Sequence, residues 1–128
     1  MAAPRHKKVQ RFTDLEVWRK AHALFLQLLV DLESIPNSRV AMILTDQSVR
    51  SLGSVGANTA EGFNRSKAKY LNCLDIALGE ANETENWLYK LRDAKLISRD
   101  TGNSHVAETI EIQEMLSALH KSISRSTS

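Results

Sequence analysis

From Leu15 to Ile123 apolar residues recur every three or four positions, and nowhere do they alternate as they would in a strand. Only Pro4 and Pro36 can interrupt a helix in this chain, so the pattern commits it to long helices. A strip of small residues inside that pattern constrains it further. Gly53, Ser54, Gly56, Ala57 and Ala60 stand where bulky core residues usually would. Each glycine costs about 1 kcal/mol of helix propensity against alanine. A helix that carries them is expected to let its neighbours approach closely.

Thr13 can cap a first helix, Glu16 closes a capping box three residues on, and Phe12 and Val17 fall at the staple positions. Its predicted core seam is Leu15, Trp18, His22, Phe25, Leu29 and Leu32, ending near Glu33. Val17, Leu24 and Leu28 lie beside that seam, as surplus apolar surface. Pro36 ends this helix within the turn Ser34–Ser38. A second helix is predicted from Arg39 to Glu61. One of its faces reads Val40, Leu44, Gln47, Ser51, Ser54, Asn58, and an adjoining one Met42, Val49, Leu52, Val55, Thr59. The first face is polar, so it either meets a partner helix through hydrogen bonds or lines a wet groove.

Gly62 suits a left-handed C-terminal cap and Ser66 an N-cap for a third helix, which runs to about Lys95. Tyr70, Leu74, Ala77, Ala81, Thr84, Leu88 and Leu91 form its seam, broadened by Leu71, Leu78 and Trp87. In an antiparallel hairpin its small residues Ala77, Gly79 and Ala81 would oppose Ser51 and Gly53. A last helix starts between Ser98 and Ser104 and ends near Ser124, with Val106, Thr109, Ile112, Leu116, Leu119 and Ile123 inward. The expectation is an all-α, up-down-up-down antiparallel four-helix bundle over residues 12–124. Disordered tails are expected at 1–11 and 125–128. Leu15, Trp18, Phe25, Leu44, Leu74, Leu88, Leu116 and Leu119 are expected in the interior.

At 128 residues the chain can build such a core without metal or disulfide staples. The single cysteine, Cys73, permits no internal disulfide and suits a reducing compartment. No apolar run reaches the roughly 18 residues of a membrane span, and the N-terminus lacks a secretory signal's apolar stretch. A cytoplasmic protein without a membrane partner is expected. The net charge of +2 conceals an asymmetry, because Arg5, Lys7, Lys8 and Arg11 fall in the first eleven residues with no acid. The remainder holds 13 basic and 15 acidic side chains. A basic arm can meet phosphates through counterion release; the plain alternative is a solvated terminus.

Catalytic chemistry finds little footing. Di-iron bundles need Glu-x-x-His on inward faces, and no glutamate here has a histidine three residues on. His105 and Glu108 give only the reverse order, once. His6, His22, His105 and His120 lack zinc spacing. Gly53, Gly56 and Gly62 fit neither a dinucleotide fingerprint nor a P-loop. No cofactor, metal or catalytic residue is therefore expected, and Cys73 and His22 read as packing. One polar constellation is dense enough to matter: Ser54, Asn58, Glu61 and Arg65. It either fixes the corner between the second and third helices or lines a small-ligand site, and Glu61 there needs a donor such as Arg65.

Three stretches carry a family resemblance. They are Phe12-x-Asp14-Leu15-x-Val17-Trp18-x-x-Ala21, then Gln47-x-x-Arg50-Ser51-x-x-Ser54-x-x-x-Asn58-x-Ala60-Glu61-Gly62-x-x-Arg65-Ser66, then Tyr70-Leu71-x-x-Leu74-x-x-Ala77-x-Gly79-Glu80-Ala81-x-Glu83-Thr84. Over residues 12–119 the chain resembles the 23S rRNA-intervening-sequence protein family. These are four-helix bundles first noticed as reading frames inside bacterial large-subunit ribosomal RNA genes. It departs from the pattern at Thr59, where isoleucine is common, and at Lys69, where an acid usually completes a capping box.

The resemblance implies a bundle similar to the accessory protein of diversity-generating retroelements, a basic pentameric ring that partners a reverse transcriptase and RNA. Its own members have no generally assigned biochemical role. On this footing the chain is expected to be a non-enzymatic homopentameric scaffold or adaptor for RNA or another nucleic acid, with scope for a protein partner. Arg5, Lys7, Lys8, Arg11, Arg50, Arg65, Lys67 and Lys69 are the expected nucleic-acid contacts. The competing reading is an enzyme or small-ligand protein built on the Ser54, Asn58, Glu61 and Arg65 corner.

Overall fold

The computed structural model describes residues 8–126. After a short 3-10 turn at Phe12–Asp14 come α1 (Glu16–Leu32), α2 (Arg39–Gly62), α3 (Lys67–Asp93) and α4 (Arg99–Ser124). Short turns make each helix antiparallel to the one before it, giving the expected four-helix bundle. The most extensive contacts join α2 to α3 and α3 to α4, whereas α1 leans more lightly on α2 and α4. No helix among the described residues is long and apolar enough to cross a membrane. Arg5 and Lys7 lie outside the described residues.

The helix starts follow local chemistry. The Ser38, Ser66 and Ser98 hydroxyls accept the backbone N–H of Ala41, Lys69 and Thr101, capping α2, α3 and α4. The Ser66 cap thus forms without the usual acid at position 69. The first helix starts differently from the expectation. Asp14 Oδ2 accepts the N–H groups of Gln10 and Arg11, both at 3.0 Å, and so closes the 3-10 turn. Neither Thr13 nor Glu16 caps α1, whose N-cap is Leu15 with no side-chain bond. At the far end of α2, Gly62 is helical and Asn64 takes the left-handed conformation (φ 58°). Gly62 is required for another reason. A Cβ there would lie 2.7 Å from Cys73 Cβ and 3.2 Å from a Tyr70 ring carbon.

In α3 every expected seam residue is buried, from Tyr70 to Leu91. In α4 Val106, Thr109, Ile112 and Leu116 are buried, and the seam reaches back through His105 to Gly102. The first helix is turned about its axis relative to the expectation. Val17, Ala21, Leu24, Leu28 and Leu32 face the core, while Trp18 and Phe25 are half-buried and His22 and Leu29 exposed. Both stripes have helical spacing. Compact aliphatics fit the space between α2 and α4, and the aromatic stripe is displaced to the margin. Leu44 and Leu119 likewise stand at the core's edge rather than within it.

The small residues act as expected at one contact and otherwise at another. Thr84 donates to Ser51 across α2 and α3 at 2.9 Å, beside fully buried Ala77 and Ala81. Buried Ser48, Thr59 and Thr109 return their protons to carbonyls of their own helix, so they leave no unpaired hydroxyl inside. Gly53 faces Phe25 of α1 instead of α3, and Gly79 is exposed with nothing packed above its Cα.

Candidate functional site

The corner residues lie along the outer face of α2 and do not converge. Asn58 Nδ2 donates to the Ser54 carbonyl of its own helix at 2.9 Å. Glu61 is exposed and its nearest cation is Lys69, at 3.9 Å, in place of the anticipated Arg65. Arg65 is exposed and has no carboxylate partner among the described residues. Half-buried Ser54 and Asn58 on α2, exposed Glu61 near its end and exposed Arg65 in the following turn are joined by no side-chain contact with one another among the described residues.

Farther along that edge Arg50 donates to Gln47 at 3.1 Å and stands 3.7 Å from Glu83 of α3. Glu80 adjoins them. Burial pushes its carboxyl up, the Glu83 charge adds to this, and the Arg50 guanidinium opposes it. Its Oε2 is buried without a hydrogen-bond partner among the described residues. Arg50 is therefore committed to neighbouring acids and has little positive field to spare.

Topology brings the basic groups of separate chain segments to one end. The start of α1, the end of α2, the start of α3 and the end of α4 share one end of the bundle. The Lys67 ammonium donates to the Ser126 carbonyl at 2.7 Å, tying α3 to the chain beyond α4. This end collects Lys8, Arg11, Arg19, Arg65, Lys67, Lys69, Lys121 and Arg125. Glu61 offsets Lys69, Asp14 is occupied by backbone N–H groups, Asp75 stands 3.2 Å from His120, and Glu114 lines the groove of Lys121 and Arg125, so the excess of positive charge at this end is partly offset. Arg19, Lys121 and Arg125 were invisible as site residues in the sequence, because only antiparallel packing brings them beside Arg65. Lys121 and Arg125 line an open groove of about 930 Å³ between α3 and α4, with Leu78, Asn82 and Gln113 on its walls.

A second concavity lies between α1 and α2. Trp18, His22 and Phe25 rise from one helix over Gly53, Gly56 and Ala57 of the other, around about 210 Å³. The His22 ring stacks on Trp18, with centroids 4.8 Å apart and planes 12° from parallel. Next to it, where α1 ends and α2 begins, Leu26, Leu29, Val30, Val40, Met42 and Ile43 are exposed.

One buried titratable pair went unforeseen. His105 Nε2 of α4 stands 2.5 Å from Asp31 Oδ2 of α1, with the imidazole 6% exposed. The spacing of Gly102, His105, Thr109 and Ile112 was a signal that His105 extends the seam. Nothing in the sequence designated Asp31. Among the described residues no group of three or more His, Cys, Asp or Glu is placed to hold a metal ion.

Comparison with known proteins agrees with this architecture. No curated protein matches the chain. Among solved structures it is similar to a protein of unknown function from the S23 ribosomal protein family of Bacteroides thetaiotaomicron, with 32% identity and a TM-score of 0.75. That match covers 82% of this chain and 95% of the other. The model of the 23S rRNA-intervening sequence protein family matches residues 13–118. With that match over most of its length, the chain belongs to the 23S rRNA-intervening sequence protein family.

Proposed function

We propose that the protein is a non-catalytic scaffold that assembles with copies of itself and holds nucleic-acid phosphates at its basic end. The observation that carries this reading is the collection of Arg19, Arg65, Lys121 and Arg125 at one end, none with a carboxylate partner among the described residues. Unpaired guanidinium and ammonium groups on separate helices suit a phosphate backbone, which is recognised through charge and needs no enclosed pocket. A single copy has modest positive charge. Several copies bound together would multiply weak interactions by effective concentration. The number five comes from the family resemblance. The small-ligand reading of the Ser54, Asn58, Glu61 and Arg65 corner has less support, because Asn58 is spent on a carbonyl of its own helix and Glu61 pairs with Lys69 and not with Arg65.

The test is a salt series of single-stranded RNA and DNA binding by the full chain. Binding should weaken linearly in log–log form as salt rises. The triple variant Arg65→Ala, Lys121→Ala, Arg125→Ala should flatten that slope by about 0.7 for each phosphate of a single strand that a chain no longer neutralises. Lys90→Ala, at the opposite end, should leave it unchanged. An unaltered slope in the triple variant would sink the proposal.

A further inference from the structure

We infer that the cleft between α1 and α2 is a seat for one unpaired base of a single-stranded nucleic acid, an inference that rests on the phosphate-binding reading of the basic end. Its walls are flat and aromatic: Trp18 with His22 stacked upon it, and Phe25 one turn farther along. Its base is the α2 backbone at Gly53 and Gly56, against which the Phe25 and Trp18 rings pack. A Cβ at Gly56 would lie 3.5 Å from Trp18 Nε1, so any larger side chain there would grow into the cavity. No carboxylate lines the space.

An apolar slot with aromatic walls would equally admit an aliphatic side chain. Two features favour a heteroaromatic ring instead. Trp18 Nε1 lies over Gly56, has no hydrogen-bond partner among the described residues, and offers a donor. The exposed His22 ring adds nitrogens that can donate or accept. A nucleobase carries ring acceptors and a π-face, and gains stacking energy from such a platform whatever its identity. The helix that carries Trp18 and His22 also carries a charge of the right sign. Arg19 follows Trp18 and stands three residues before His22, on the adjoining helix surface, with Arg11 at the start of the same segment. A strand that binds Arg19 through a phosphate would have a neighbouring base within reach of Trp18 and His22 on the same helix. The basic end supplies a track, and the cleft supplies the stacking surface absent from the sequence when read as a line.

The experiment compares a short single-stranded oligonucleotide with an abasic sugar–phosphate strand of equal length and charge, titrated into the full chain. The base-bearing strand should bind about tenfold more tightly, with the same salt slope. His22→Ala, at an exposed position, should remove part of that difference. Gly56→Leu should remove most of it while leaving binding of the abasic strand intact. Equal affinity for the two strands would overturn the cleft and leave the phosphate reading standing. Binding of neither strand would overturn both. If Gly56→Leu changes the mass of the assembly, the cleft is a contact between copies and the inference fails. Retention of the base preference in both variants, with native circular dichroism, would also refute it.

Discussion

At the residue scale the sharpest constraint is Gly62. Its Cα meets the Cys73 side chain where α2 and α3 converge, and a methyl group has no room there. Gly62→Ala should lower stability by about 1–3 kcal/mol, as overpacking does. Adding Cys73→Ala, which removes only the sulfur and not the nearest atom, should recover part of the loss; thermal melts of the single and double variants measure both. Glu80 sets a second expectation. Its folded carboxyl titrates above the ordinary 4.5, chiefly because burial disfavours the anion. The folded state therefore holds that proton more tightly than the unfolded state. The contribution to stability is complete below 4.5 and is lost as pH rises through the raised value. Glu80→Gln should accordingly raise the melting temperature near neutral pH and bring no gain in acid, as a pH series of melts would reveal. The sequence reading of Gly62 as a left-handed cap is overturned, because Gly62 is helical and what requires glycine there is the approach of Cys73. A glycine before a turn suggests a left-handed cap, and only the packed structure shows Asn64 taking that conformation.

At the element scale α3 and α1 represent opposite cases. The seam of α3 is one unambiguous stripe, and all of it is buried. The α1 sequence carries two apolar stripes about one residue apart, and periodicity cannot choose between them. The choice belongs to the neighbours, since α2 and α4 leave space for Ala21, Leu24 and Leu28 and not for an indole or a phenyl ring. The surplus apolar residues Val17, Leu24 and Leu28 are accordingly absorbed by the core, and the aromatic stripe is left at the surface. The first helix is also secured by polar means. The His105–Asp31 contact joins α4 to α1, while His105 Nδ1 is buried without a partner among the described residues. Removing one member of a hydrogen bond so that a buried partner is left unpaired costs about 1–3 kcal/mol. Asp31→Ala should therefore destabilise the bundle by that amount, whereas Lys20→Ala, which breaks the largely exposed Lys20–Glu111 pair, should cost under about 1 kcal/mol. Chemical denaturation of the two variants tests the contrast.

At the scale of the whole molecule the fold was readable because caps, turns and periodicity agree on four helices. The candidate site was legible only in part: Lys8, Arg11, Arg65, Lys67 and Lys69 stand out as basic runs, whereas Arg19, Lys121 and Arg125 come from chain segments far apart in sequence, and no local pattern announces that they meet. Assembly falls between the two. The exposed Leu26, Leu29, Val30, Val40, Met42 and Ile43 form an apolar surface of the kind that usually marks an interface. Light scattering at micromolar concentration should give a multiple of the 14.3 kDa chain mass, and Val30→Glu with Met42→Glu should reduce it to one. A mass of one chain for the unaltered protein would end the scaffold reading. The gathered charges also give the bundle a direction, with a positive pole where α1 begins and α4 ends. Rotation about a single axis preserves the direction of each subunit along that axis. A closed ring with its helices along the axis therefore has a front and a back, every positive pole facing the same way. A two-fold pairing across the helices would instead turn the poles apart. A ring of this kind would meet a polyanion with one face only, so that the strand lands on the front and leaves the back free.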